Sequence, residues 1–237
     1  MKKEDLHGFV PAAPTPFNAA GDIMEDEFQS LVKWLIGQGA TAICVSGDNG
    51  ESWALSAAEK GRLTRLAVDA SAGAVPVITG CSATMLKSSV EFALQAKENG
   101  ASAVLSMPQT YVLKTTRDEL LGRFEKLNAA IDMPIIAYNS PRRAGLNLSL
   151  DDIGAIMDVA PIIGIKESNR DYFHHSHLIN RFADKMAIMV GPCHYIMPGI
   201  ALGAQGYIAT GPEFLGDDTR NIAALAKEKP SGKQAEI

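Results

Sequence analysis

The amino-acid sequence predicts an α/β fold, a single parallel (β/α)8 TIM barrel, and three observations lead there. Eight short apolar runs rich in Val and Ile recur along the 237 residues, with longer stretches of helical period between them. The runs are apolar on both alternating sides, as strands buried on both faces must be. Polar segments follow the runs directly, where barrel strands present their C-terminal ends. The competing architecture is an open doubly wound sheet. No Gly-x-Gly-x-x-Gly fingerprint follows the first run, however, and eight evenly spaced units favour closure.

Strands are expected at 8–13, 42–46, 75–79, 103–107, 134–139, 161–166, 187–191 and 206–210. Helices are expected at 26–38, 56–71, 84–99, 116–130 and 149–159. Ser56, Thr84, Thr116 and Ser149 stand as N-caps, since a short hydroxyl side chain can accept from the orphan amides of a first turn. Gly37, Gly39 and Gly100 stand where helices stop. One barrel domain is expected over residues 1–226. Residues 227–237 are polar and broken by Pro and Gly, and read as a frayed tail.

Composition excludes several classes of partner. With 46% hydrophobic and 21% charged residues, the chain can bury a full core. A net charge of −5 and a pI of about 5.6 give no footprint for nucleic acid or an anionic membrane, so neither is expected as a partner. No apolar run approaches the roughly 20 residues that span a bilayer, and Glu4 and Asp5 follow Lys2 and Lys3 where a leader would turn apolar. Cys44, Cys81 and Cys193 are odd in number and far apart. A cytoplasmic protein without metal or cofactor, acting on small molecules, is expected.

The chemistry concentrates at strand ends. The sixth strand closes Pro161-Ile162-Ile163-Gly164-Ile165-Lys166-Glu167-Ser168, an apolar run that ends in an amine. Lysine is rarely buried unless something uses it or pairs with it, and desolvation disfavours an ammonium. A neutral amine at a strand end is a nucleophile; a lysine that snorkels to water or pairs with Glu167 is the other reading. A period of two puts Ile162, Gly164 and Lys166 on one side, with Gly164 leaving space beside the lysine stem, and Pro134, Ile136 and Tyr138 on one side of strand five. Counted from Pro134 and Pro161 and allowing for barrel shear, Tyr138 and Lys166 reach a similar level. A phenol beside a desolvated amine is a proton-transfer pair.

Five segments together carry a family resemblance: Thr15-Pro16-Phe17, the Gly-x-x-Gly-Glu-Ser loop at 47–52, Pro108 to Tyr111, Tyr138-Asn139-x-Pro141, and Gly164-Ile165-Lys166-Glu167. In order and strand-end placement the chain resembles the dihydrodipicolinate synthase and N-acetylneuraminate lyase family of class I, Schiff-base aldolases. The resemblance implies that Lys166 attacks the ketone of pyruvate or a related 2-oxo acid and that Tyr138 shuttles protons. It places the substrate carboxylate on backbone amides of Gly47, Asp48, Asn49 and Gly50, with Asn49 adding an amide donor. An ordinary turn, with Asp48 and Asn49 tolerated for their geometry, is the other reading of that loop. Arg143 aligns with an arginine that binds the carboxylate of a second substrate, an aldehyde, although Arg142 stands beside it and a surface pair is equally open. A homo-oligomer, a dimer or a dimer of dimers, is implied.

The departures shape the expected function. The family's two hydroxyl residues after Gly47 are replaced by Asp48 and Asn49, and Thr110 or Tyr111 stands where a tyrosine crosses a dimer interface. The expected activity is therefore a Schiff-base lyase or aldolase acting on a 2-oxo acid, by carbon–carbon cleavage or formation or by dehydration. 4-Hydroxy-tetrahydrodipicolinate synthase is the alternative. Resembling chains continue with about three more helices, so the barrel is expected to lack most of that C-terminal region, and a 2-oxo-acid-binding barrel with little turnover is a further alternative. His174, His175 and His177 follow Asp171 at a helix start and read as solvated rather than metal-binding. His194 reads as lining the pocket mouth and Cys193 as packing.

Overall fold

The computed structural model describes residues 1–112, 114–216, 218, 221 and 222. Its elements alternate as β1 (Gly8–Phe9), α1 (Glu25–Gly37), β2 (Ile43–Val45), α2 (Ala57–Ser71), β3 (Val77–Gly80), α3 (Leu86–Glu98), β4 (Ala103–Ser106) and α4 (Arg117–Ile131). There follow β5 (Ile135–Asn139), the short α5 (Pro141–Ala144), α6 (Leu150–Val159), β6 (Ile162–Glu167), α7 (Tyr172–Phe182), β7 (Ala187–Val190), α8 (Ile196–Ala201) and β8 (Gly206–Tyr207). The sheet runs β1-β8-β7-β6-β5-β4-β3-β2, all parallel. It closes where the chain beyond β1 meets β2: Cys44 donates to the Pro11 carbonyl at 2.9 Å, and Ala13 donates to that of Cys44 at 2.9 Å. The barrel of the sequence reading is present. The tail expected at 227–237 lies outside the described residues.

Burial on both strand faces produces two apolar layers. Alternate strand residues, among them Cys44, Ile78, Leu105, Ile136 and Met189, fill the barrel interior with Leu6 and Val10. The intervening positions, Ile43, Val45, Val77, Val104, Ile135 and Ile165, meet the helices. Leu6 plugs the lower end, and this explains Gly164: a Cβ there would fall 2.5 Å from Leu6 Cδ2 and 2.8 Å from the Ala187 carbonyl oxygen. The glycine makes room for that plug rather than for the lysine stem.

Helix starts follow the hydroxyl signals at three of four positions. Ser56, Thr116 and Ser149 each accept from the amide three residues on and are answered by Glu59, Glu119 and Asp152, forming capping boxes. Thr84 does not cap: Met85 occupies the N-cap of α3 without a side-chain bond, while Thr84 Oγ1 pairs with Thr110 Oγ1 at 3.1 Å. Gly39 and Gly100, at φ +88° and +91°, end α1 and α3 in the left-handed region, whereas Gly37 is still helical.

Among the polar side chains that lie wholly inside this frame is a lysine. Lys60 of α2 is fully buried, with its Nζ donating to the Ser52 carbonyl at 2.9 Å and to Ser52 Oγ at 2.8 Å, and lying 4.8 Å from the Phe92 ring centre. It ties the loop after β2 to the first helical turns beyond it. Burial pushes its pKa down to about 8. Between about 8 and about 10.5 the unfolded chain therefore holds more protons at this site than the native one, so its contribution to stability rises with pH. Urea unfolding of wild type and Lys60→Met across that range should show wild type gaining up to about 3 kcal/mol relative to the variant. The comparison between the two proteins removes the buried thiol Cys44, raised to about 11, whose effect has the opposite sign, and placing Cys81→Ser in both removes the thiol whose charge acts on Lys60. A pH-independent difference would refute this account.

Candidate active site

The site begins with strand register. Ile135 pairs with Ile162, but Ile136 pairs with Gly164, so Ile163 is one extra residue in β6. Beyond that irregularity Tyr138 pairs directly with Lys166. The extra residue breaks the period of two: Ile162 joins the helix-facing layer, while Gly164 and Lys166 face the interior. Lys166 is 6% exposed, and its Nζ lies 4.5 Å from the centre of the Tyr138 ring.

From the phenol the contacts lead to the loop after β2. Tyr138 Oη donates to Asp48 Oδ2 at 3.1 Å, and Arg143 Nε lies 3.5 Å from the same oxygen. Asp48 and Asn49 stand on a 3-10 turn, Asp48–Gly50, with Gly47 extended before it. Gly50 has no room for a side chain, since a Cβ would fall 2.8 Å from the Ala13 carbonyl oxygen, and Thr15 Oγ1 donates to its carbonyl at 2.8 Å. The Gly50 amide is taken up by the Gly47 carbonyl at 3.0 Å. On the far side, Thr210 Oγ1 donates to Asn49 Oδ1 at 3.0 Å, linking the turn to the end of β8.

These groups open into a cavity of about 330 Å³ at the C-terminal ends of the strands, whose walls include Asp48, Asn49, Tyr138, Arg143, Lys166 and Thr210. Its rim carries Arg142, Arg170, Cys193 and His194. A hollow of about 500 Å³ at the opposite end, beside Met1, His7 and Pro76, contains none of the converging polar groups. The active-site face of a parallel barrel is the former. Thr110 and Tyr111 stand apart from the cavity: Thr110 bonds to Thr84, and Tyr111 is 86% exposed at φ +72°. Gly47 and Gly50 shape the turn without lining the cavity.

Behind Lys166, on the outer face of β6, lies a polar cluster that strand-end motifs did not reveal. Glu167 is fully buried and accepts from Asn139 Nδ2 at 3.0 and 3.1 Å and from the Asn169 amide at 2.6 Å. His174 Nε2 lies 3.2 Å from Glu167 Oε2, and that contact raises the histidine's pKa against the opposing effect of burial. His175 is buried with Nε2 2.7 Å from the Asn169 carbonyl oxygen, and burial lowers its pKa. The expectation of solvated histidines therefore holds for His177 alone; α7 turns the other two inward, under the Asp171 N-cap. Among the described residues no group of His, Cys, Asp and Glu is placed to hold a metal ion. Residues that sequence reasoning missed at the cavity itself include Thr210, which holds Asn49, and Arg170, which belongs to no motif. The only signal for Arg170 was its position four residues beyond Lys166 in a strand-to-helix loop.

Known proteins share this fold. The profile of the dihydrodipicolinate synthetase family matches residues 5–237. A 4-hydroxy-tetrahydrodipicolinate synthase of Maridesulfovibrio salexigens is 30% identical over 98% of this chain and 79% of its own length. An uncharacterized DapA-like lyase of Rhizobium meliloti is 31% identical over 88% of this chain and 69% of its own length. Among solved structures, dihydrodipicolinate synthase of Acinetobacter baumannii, crystallised with pyruvate, superposes with a TM-score of 0.90 at 28% identity, over 98% of this chain and 79% of that one. N-acetylneuraminate lyase of Fusobacterium nucleatum shares the fold with a TM-score of 0.87 at 24% identity, over 98% of this chain and 78% of that one. The chain belongs to the dihydrodipicolinate synthetase family and is a class I, Schiff-base lyase or aldolase of that family.

Proposed function

We propose that Lys166 is the Schiff-base nucleophile, that Tyr138 is its proton shuttle, and that Asp48 takes over the relay the family builds from hydroxyl groups. The observation that carries this reading is the line Lys166, Tyr138, Asp48: a buried amine against a phenol ring, and a phenol hydroxyl on a carboxylate. The amine adds to the ketone of a 2-oxo acid and one water leaves, giving an iminium. In a 4-hydroxy-2-oxo acid, loss of the hydroxyl proton breaks the C3–C4 bond, an aldehyde departs, and the electron pair moves into the enamine. Tyr138, hydrogen-bonded to Asp48, is placed to return that proton to C3; water then frees the lysine and releases the shortened 2-oxo acid. Run backwards, the same steps form the bond; loss of a C3 proton into the enamine, followed by departure of the C4 hydroxyl with a proton as water and formation of a C3–C4 double bond, is dehydration.

Three other elements belong to the proposal. Of the turn at 47–50, the part that lines the cavity, Asp48 and Asn49, is read as holding the 2-oxo acid's own carboxylate, since the Gly50 amide is taken up by the Gly47 carbonyl. A second reading, 4-hydroxy-tetrahydrodipicolinate synthase, draws support from Arg143 and from the named relatives, but Arg143 here is engaged by Asp48. A binding barrel with little turnover is the third. For assembly, Tyr111 and Val112 are exposed on the loop after β4, and the bond between Thr84 and Thr110 sets Met85, 65% exposed, on the adjoining loop. That apolar edge supports a homodimer through which Tyr111 reaches the partner's cavity, in a cytoplasmic protein as its widely spaced free cysteines suggest.

Incubation with pyruvate and borohydride should add one reduced adduct, placed on Lys166 by peptide mapping. An adduct scattered over surface lysines would sink the nucleophile assignment. Tyr138→Phe and Asp48→Ala should each lower turnover by about 10²-fold while pyruvate trapping persists, the usual scale for an acid–base group; unaltered turnover in Asp48→Ala would return Asp48 to the role of a turn residue. Light scattering in dilute solution should find a dimer or larger, and a stable monomer would remove Tyr111 from the site.

A further inference from the structure

The charge at the cavity mouth runs against the charge of the chain. The protein is acidic, at net −5, yet this one cavity gathers Arg142, Arg143, Arg170 and Lys166 against a single carboxylate, Asp48. The partners already on the page account for two of the four. Arg143 faces Asp48 at 3.5 Å and lies 5.9 Å from the ring of Trp53, and Lys166 would become the iminium, whose charge the 2-oxo acid's own carboxylate balances. Arg142, in α5, and Arg170, before α7, remain. Both are exposed on the rim, and among the described residues neither guanidinium has an ion pair or a hydrogen bond. The backbone of Arg170 is nonetheless fixed: its carbonyl accepts from Tyr195 Oη at 2.6 Å, and Asn169 before it and Asp171 after it are bonded in turn. Two guanidiniums without a carboxylate of their own thus stand on the rim of one cavity, and guanidinium forks match carboxylate and phosphate geometry.

We propose that Arg142 and Arg170 form a second anion subsite at the cavity mouth, specific for 2-oxo acids whose far end carries a carboxylate or a phosphate. This rests on the Schiff-base reading of Lys166 and adds to it a substrate class that is charged at both ends. The first anion lies by the turn after β2, the reacting carbon at Lys166, and the second anion at the loops after β5 and β6. In the cleavage direction the released aldehyde carries that second anion away.

The test compares borohydride trapping of pyruvate, 2-oxopentanoate, 2-oxoglutarate and 2-oxo-4-phosphonobutanoate by wild type and by Arg142→Gln/Arg170→Gln. Wild type should reach half-maximal trapping with 2-oxoglutarate or with the phosphonate at a concentration at least tenfold below that for neutral-tailed 2-oxopentanoate, the scale of a charge-assisted hydrogen bond. Whichever of the two anionic tails is preferred identifies the natural group. In the double variant the preference should fall to within twofold, with any change in pyruvate trapping matched by the same change for 2-oxopentanoate. Equal trapping of neutral and anionic tails by wild type, or a preference that survives the double substitution, would overturn the subsite. If wild type traps no 2-oxo acid, the Schiff-base reading fails by itself. Calorimetry with glutarate, which has both carboxylates and no ketone, then decides the subsite alone: heat lost in the double variant supports it and no heat with wild type overturns it.

Discussion

The pairing of β5 with β6 is the constraint on which the site depends. A parallel pair fixes which residues stand level, and a slip of one would send Lys166 toward the helix layer and Glu167 into the barrel. The slip is averted locally. Ile163 enters as one extra residue low in β6, where Ile135 faces Ile162, and every pair above it is then level through Asn139 and Glu167. The same irregularity lets Gly164 meet the Leu6 plug while Lys166, two residues on, reaches the mouth. Packing at the closed end of the barrel and chemistry at its open end are thus set by one register.

Two neighbouring residues on β6 face different worlds. Lys166 points into the interior with Tyr138 and Met189, and Glu167 points outward into amides and imidazole. A buried carboxylate needs donors or it protonates, and here Asn139, the Asn169 amide and His174 supply them. Because Asn139 also accepts from the Leu148 amide at 3.1 Å, the cluster fastens the loop bearing Arg142 and Arg143 to the strand bearing Lys166. Glu167 is thereby engaged by its own neighbours on the outer face of β6, away from the amine. Cys44, the thiol nearest in kind to a competing nucleophile, is held protonated because burial raises its pKa to about 11.

The barrel was legible because two-sided burial writes continuous apolar runs, and capping boxes write Ser or Thr with an acid three residues later, as at Ser56 and Glu59. Lys166 and Tyr138 were legible for the same reason: each is a polar group at the end of such a run. Shear alone was an incomplete account of their level, because the extra residue at Ile163 lies within an unbroken apolar segment and leaves no mark in it. Thr84 failed as a cap because its hydroxyl had a better partner, Thr110, twenty-six positions away, and no local pattern reports that. His174 and His175 look like a polar helix start; only the tertiary position of Glu167 and Asn169 turns them inward.

The loop after β2 shows how a turn can hold its path independently of the side chain it presents to Tyr138. Ser46 and Glu51 bracket it in the left-handed region, at φ +52° and +55°, a conformation that costs an ordinary residue about 1 kcal/mol or more. Such strain persists only where surroundings enforce it. Gly80 admits the Ser46 carbonyl, to which a Cβ would come within 2.2 Å; Thr15 holds Gly50, Lys60 holds Ser52, and Thr210 holds Asn49. None of these anchors depends on the side chain of residue 48. A backbone fixed from both ends and from outside keeps its path whatever side chain it carries there, so the residue at position 48 sets what Tyr138 bonds to and leaves the turn in place. Geometry in this loop is carried by its neighbours, and chemistry by the one position they leave unconstrained.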